Sequence, residues 1–212
     1  MAIELGTLLK LRPITYHTTG RLNLEFIRDQ RAVISTKSLL GRSEHASLLN
    51  GRRLTSTTIL VNGRRVQIRD QLPLRPKSLL LQDGATLQDY IDELNQRVFF
   101  WAGTLNGPVS SGRRHLEHYS KEGEVFIIRT CLDSLLSANA GRDLFVTQCN
   151  SGTARHQNGQ PVERGPETFC PLKGARFRAS AVVELSFVDR ADLPLDSEFS
   201  TSLAGPWQRL LV

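Results

Sequence analysis

The chain has 212 residues, 40% of them hydrophobic and 23% charged, which suits one domain with a real core and excludes a disordered tail or a peptide-sized scaffold. Lys and Arg number 27 against 21 Asp and Glu, and the excess is lopsided: residues 1–80 carry 14 basic and 5 acidic side chains, residues 81–212 carry 13 and 16. No apolar run approaches the roughly 20 residues that span a bilayer, so a membrane protein is not expected.

Of the 27 cations 22 are Arg, whose guanidinium forks match phosphate oxygens; a basic half of this kind suits phosphate-bearing partners, and a merely solvated Arg-rich surface has the same composition. The opening MAIELGTLLKLRP lacks the apolar stretch and cleavage site of a signal peptide. Cys131, Cys149 and Cys170 form no C-x-x-C pair, the usage expected of reduced thiols in the cytoplasm.

In chain order, residues 14–18 (ITYHT) read as a strand, followed by an amphipathic helix in which Leu22, Phe26 and Ile27 share a face. A strand fits 32–35 (AVIS), and Ser35 or Thr36 caps a helix through Leu40 that ends near Gly41. Residues 56–70 (STTILVNGRRVQIRD) place Asn62-Gly63 between two alternating β-branched runs, the signature of a type I′ hairpin. Thr86 heads a helix over 87–95 (LQDYIDELN), with Asp89 completing a variant capping box, and an aromatic strand follows at 97–101 (RVFFW). A helix over 109–119, a strand at 124–129, a helical piece at 132–137 and a strand at 143–148 come next. The Gly-, Pro-, Asn- and Gln-rich stretch 149–175 is long for a bare connection and reads as a functional or disordered loop before a last strand at 177–188 (FRASAVVELSFV). Without repeats, linkers or βαβ alternation, one α+β domain over 1–212 is expected, not a doubly wound parallel sheet.

Neither G-x-G-x-x-G nor G-x-x-x-x-G-K-[ST] occurs, and H-E-x-x-H is absent. His115 and His118 lack a matching ligand set and read as exposed helix residues, so no metal is expected. Ser110-Ser111-Gly112 lacks the frame of a nucleophile elbow.

The phrases Tyr16-His17-Thr18, Asn23-Leu24-x-Phe26-Ile27 and Ile34-Ser35-Thr36, then Thr86-Leu87-Gln88-Asp89-Tyr90 and Val98-Phe99-Phe100-Trp101, resemble in collinear order the motifs of the DarT-like ADP-ribosyltransferases. Ile68-Arg69-Asp70-Gln71, Asn150-Ser151-Gly152 and Val183-Glu184-Leu185 resemble more closely a group of uncharacterised bacterial proteins thought to share that fold. The resemblance covers a core of about 14–188, leaving 189–212 as a C-terminal tail. It departs from the DarT-like pattern in Phe-Phe-Trp for Phe-Tyr-Phe and in extra residues between Tyr90 and the aromatic strand.

The resemblance implies an ADP-ribosyltransferase-like split antiparallel β core with flanking helices. Such an enzyme takes NAD as co-substrate without a metal and moves its ADP-ribose to a macromolecule: DNA first, with RNA and protein acceptors open and an antitoxin protein a candidate partner. Breaking the nicotinamide–ribose bond passes through an oxocarbenium-like centre that a carboxylate stabilises. Glu184, the only acid in FRASAVVELSFV, is the expected catalytic acid, although alternation equally allows it to face solvent. Glu167 is its reserve. Arg69 at the hairpin's end is expected to face the NAD diphosphate, with Arg97 the alternative; Asp70 or Glu93 could instead pair with them. Tyr16, His17, Thr18 and Ser35 are expected around the cofactor, with His17 donating an N–H and an aromatic face from one of Phe99, Phe100 and Trp101 in the pocket, Phe100 and Trp101 first. Asn150, Ser151, Arg155 and Glu167 belong to the expected acceptor loop. A non-catalytic nucleic-acid-binding module of the same fold and an NAD glycohydrolase are the alternatives.

Overall fold

The computed structural model describes residues 3–211 apart from 42, 122, 155, 158 and 159, with 156, 157 and 160 described as backbone only. The chain opens with α1 (Leu5–Leu11), β1 (Ile14–Gly20), α2 (Arg21–Gln30), β2 (Ala32–Ile34) and α3 (Thr36–Leu40). α2 buries Leu24, Phe26 and Ile27, whereas Leu22 in its first turn stays 37% exposed, contrary to expectation. Ser35 caps α3, its hydroxyl accepting the Ser38 N–H at 3.2 Å.

β3 (Thr57–Val61) and β4 (Arg64–Ile68) form the expected hairpin, with φ of 52° at Asn62 and 75° at Gly63, the left-handed pair that a type I′ turn needs. α4 (Leu87–Asn95) starts at a complete capping box between Thr86 and Asp89. β5 (Arg97–Thr104), α5 (Ser110–Tyr119), β6 (Val125–Cys131), α6 (Leu132–Ala138) and β7 (Phe145–Thr147) follow. The stretch expected to be a functional or disordered loop pairs Glu163–Arg164 in parallel with Leu80–Leu81 and places β8 (Cys170–Pro171) beside β7.

The last predicted strand is shorter than expected: β9 covers only Glu184–Val188. Upstream, Ala179–Ala181 makes a 3-10 turn, and Ser180 O accepts from the Arg12 guanidinium at 2.8 Å, so this backbone finds its partners without a neighbouring strand. The expected tail also belongs to the fold. β10 (Arg190–Asp192) pairs with β2, β11 (Glu198–Ser200) joins β6, and β12 (Gln208–Arg209) joins β11.

The main sheet runs β8-β7-β9-β5-β1-β6-β11-β12, antiparallel throughout, with Gly107–Pro108 added to the end of β5. The α+β class with a mostly antiparallel sheet is therefore as expected. Strand alternation sends Val98, Phe100 and Ala102 of β5 into the main core with Ile128, Leu185 and Phe187, while Trp101 joins Tyr16 and Ile127 in a smaller core on the other face. Among the described residues no helix is long and apolar enough to cross a membrane.

One register detail shapes the molecule. β1 pairs with β5 only over Ile14↔Gly103, Thr15↔Ala102 and Tyr16↔Trp101, yet with β6 as far as Gly20↔Val125. Past Tyr16 the two central strands part. α5 lies directly on the β5 side of this opening because Gly112 lets it: a methyl group there would stand 2.8 Å from both Trp101 Cγ and Pro108 Cβ. Gly112→Ala is expected to cost about 1–3 kcal/mol by this overpacking, read as a lower urea midpoint; an unchanged midpoint would contradict the close approach.

Candidate active site

The parted strands hold a continuous cleft. Its inner part, about 160 Å³, runs from Glu184 and Ser151 to Trp101 and His115; its outer part, about 280 Å³, extends to Gln67, Arg69 and Arg53. His17, Thr18, Phe99 and Tyr119 line both.

Glu184 opens β9 opposite Trp101 on one side and Thr147 on the other, which turns it away from the main core and into the cleft. It is only 3% exposed. Its Oε2 accepts the Ser151 N–H at 3.1 Å and lies 3.4 Å from the Thr147 hydroxyl, whose proton is closer to Cys149 O at 2.7 Å. Burial pushes the carboxyl up to about 7, opposed by the hydrogen bonds from Ser151 and by the Arg164 charge. Burial thus leaves Glu184 readier to hold a proton than an exposed carboxyl.

His17 stands where the strands part, with Nδ1 2.9 Å from Phe99 O across the gap. A carbonyl only accepts, so Nδ1 carries the proton, and burial lowers the pKa and favours the neutral ring. Nε2 is then an acceptor. The expected N–H donation to a ligand is corrected: the donor is spent on Phe99, and a ligand hydroxyl would be the donor to His17.

His115, expected to be exposed, lines the inner cleft from α5 with its ring 5.2 Å from Trp101 and 4.2 Å from Tyr119. Burial, together with the Arg69 charge, pushes it down to about 3, so it too is neutral. His118 is exposed as expected. The i, i+4 relation of His115 to Tyr119 and its i−3 neighbour Gly112 form a face that the sequence displays and that metal-motif reasoning passed over.

Arg69 lines the outer cleft, its guanidinium 3.4 Å above the Tyr119 ring. Arg53, which the sequence reading missed, lies beside it, 8% exposed, donating to Arg69 O at 2.9 Å and Asn95 Oδ1 at 2.8 Å. Burial lowers it to about 10, opposed by Asp70, and it remains cationic at pH 7. Its hydrogen bonds go to neutral oxygens, so a buried cation faces the cleft with charge to offer. Arg97 borders the outer cleft but is committed elsewhere: Glu93 pairs with it, and its guanidinium lies 4.9 and 4.4 Å from the Phe145 and Phe169 rings.

Thr18, Trp101, Asn150 and Ser151 line the cleft as expected. Four other expectations are corrected. Tyr16 faces the smaller core and donates its hydroxyl to Thr104 O at 2.5 Å. Ser35 is spent on capping α3. Phe100 points into the main core, and its neighbour Phe99, of opposite parity, reaches the cleft. Glu167 is exposed on a short 3-10 turn, bordering a separate depression with Gln82 and Asp89. Arg155 lies outside the described residues. Among the described residues no cluster of three or more His, Cys, Asp or Glu could hold a metal.

Fold and site together define an α+β protein with an antiparallel sheet whose central strands part around a buried carboxyl group, neutral imidazoles and two arginines. The chain belongs to DUF7002, a family of unknown function whose profile matches residues 13–193, a span that includes the whole cleft. No curated protein and no solved structure matches it.

Because Glu184 holds its proton more tightly folded than unfolded, its contribution to stability is fully present below the ordinary carboxyl value of 4.5 and lost as pH rises through about 7. Glu184→Gln, which cannot ionise, is expected to exceed the wild type in urea stability at pH 8 by up to about 3 kcal/mol, with the gap closing towards pH 4. A gap independent of pH would contradict the buried ionisation.

Proposed function

We propose that the protein is an NAD-dependent mono-ADP-ribosyltransferase of the DarT-like kind that modifies a macromolecular acceptor, a DNA base first. The observation that carries this reading is that Glu184 and His17, from a late and the first strand of an antiparallel sheet, line one cleft where the central strands part. A split antiparallel core with a strand-borne acid is the arrangement the family resemblance implies.

The residue chemistry supports it. As a carboxylate, Glu184 can accept a ribose hydroxyl and stabilise positive charge at the anomeric carbon, with little reorganisation because Ser151 N–H already holds it. The bond from that carbon to the nicotinamide nitrogen breaks, its electron pair neutralises the pyridinium, and an acceptor lone pair closes on the carbon as the acceptor gives up its proton to solvent water. Nε2 of His17 can accept a second ribose hydroxyl. Phe99 and Trp101 offer faces to a flat ring, and Arg53 and Arg69 supply charge for a diphosphate. The basic excess of residues 1–80, which supply β3, β4 and Arg53, supports a nucleic-acid acceptor. Three free cysteines suit a cytoplasmic setting.

Incubation with labelled NAD and a panel of oligonucleotides and proteins is expected to label DNA, steeply less so as salt rises. Glu184→Gln is expected to lower transfer by about 100-fold or more. Transfer by the wild type should rise with pH through about 7, as the Glu184 carboxylate forms. Arg53→Ala should raise KM for NAD more than it lowers kcat. Absence of both nicotinamide release and label transfer, or their survival in Glu184→Gln, would sink the reading; nicotinamide release without a labelled acceptor would make the protein an NAD glycohydrolase.

A further inference from the structure

We propose that Tyr90 is a positioning residue for Glu184, acting through the backbone of Ser151, whose carbonyl accepts from Tyr90 and whose N–H donates to Glu184. The role rests on the reading of Glu184 as the acid of the cleft. Tyr90 itself touches neither cleft volume.

Tyr90 is a fully buried residue of α4, packed against Phe169 with ring centroids 6.1 Å apart and planes 20° from parallel. Its hydroxyl donates to Ser151 O at 2.7 Å. On the preceding side of the same residue, Ser151 N donates to Glu184 Oε2 at 3.1 Å. Tyr90 and Glu184 therefore grip Ser151 by its two backbone polar groups, its acceptor and its donor. Ser151 and Glu184 are both nearly inaccessible to water, so neither bond has a solvent substitute. The Thr147 hydroxyl, turned towards Cys149 O, lies farther from the carboxylate at 3.4 Å, so Ser151, by its side chain and its backbone N–H, is the residue that chiefly holds it.

The charged and titratable groups around this chain are few. Burial keeps the phenol of Tyr90 and the thiol of Cys149 protonated, the latter raised to about 11. Arg164, 1% exposed and 3.5 Å from Thr153 O, is the cation whose charge acts on Tyr90, Cys149 and Glu184 alike. His17 and His115 on the cleft side are neutral. Towards Ser151 O the protonated Tyr90 hydroxyl is the donor, its oxygen taking a hydrogen bond from the Thr168 side chain, and what it fixes is the place and direction of the Ser151 N–H. Freed from α4, that N–H would hold the carboxylate less well, and Glu184 would ionise at higher pH.

A core tyrosine that merely satisfies its hydroxyl would affect melting alone, so the test reads the titration of Glu184. Carbon-13 NMR of Glu side-chain carboxyls, with the Glu184 signal assigned by its loss in Glu184→Gln, follows its midpoint without any need for NAD. Tyr90→Phe is expected to raise that midpoint, weakening ionisation by about three-fold or more. Site-specific 3-fluorotyrosine at position 90, a stronger donor of the same shape, is expected to lower it and serves where Tyr90→Phe fails to fold. A midpoint unmoved in the fluorotyrosine protein, or in a folded Tyr90→Phe, would overturn the proposal whatever happens to melting. Loss of the transferase reading would appear separately, as absent NAD turnover in a wild type whose Glu184 midpoint still answers to position 90.

Discussion

Antiparallel strands stay together while each backbone finds its partner on the neighbour; β1 keeps β6 over all seven of its residues but keeps β5 over three. At the parting the imidazole of His17 reaches across to Phe99 O, replacing a ladder bond with a side-chain one and holding the gap at a fixed width. α5 stands against Trp101 because Gly112 permits contact, and β4 with the segment around Arg53 walls the far end. A cleft made by withdrawing one ladder is open to ligand yet framed by rigid strands, which is the condition for placing polar groups accurately.

The cleft has two electrostatic ends, and α4 ties them together. At one end its Tyr90 holds Ser151, which holds Glu184; at the other its Asn95 holds the Arg53 guanidinium, and Gln88 anchors Gly51 N at 2.8 Å just upstream. A helix fixed at its start by the Thr86–Asp89 capping box thus supports both a group that wants a proton near neutrality and a buried cation. Opposite tendencies at the two ends of one cavity suit an elongated ligand with negative charge at one end and developing positive charge at the other.

Local rules were readable where the cause is local. Asn62-Gly63 specifies its turn and Thr86-x-x-Asp89 its cap through the backbone geometry of the residues themselves, and both are found. The aromatic strand shows why the site was harder. Every residue of Val98–Ala102 is apolar, so nothing in that run distinguishes cleft parity from core parity, and the pairing of Glu184 with Trp101 rather than Phe100 settles it only in three dimensions. Arg53 follows Gly51 and Arg52 in a segment without periodicity, and its burial comes from docking on Asn95, 42 residues away. Glu167, the reserve acid in the loop, lies on a 3-10 turn that leaves it facing water. The apolar run before β9 overstated that strand because its small residues, Ala179 to Ala181, close a turn instead.

The central claim is that the gap between β1 and β5 is where NAD binds. Titrating NAD into nitrogen-15-labelled protein and following the backbone amides tests it without requiring turnover or an acceptor. The account predicts saturable shifts concentrated at Thr18, Phe99, Ser151, Gly152 and Arg69, weakened by Arg53→Ala. Shifts confined to other surfaces, or none at millimolar NAD, would contradict it.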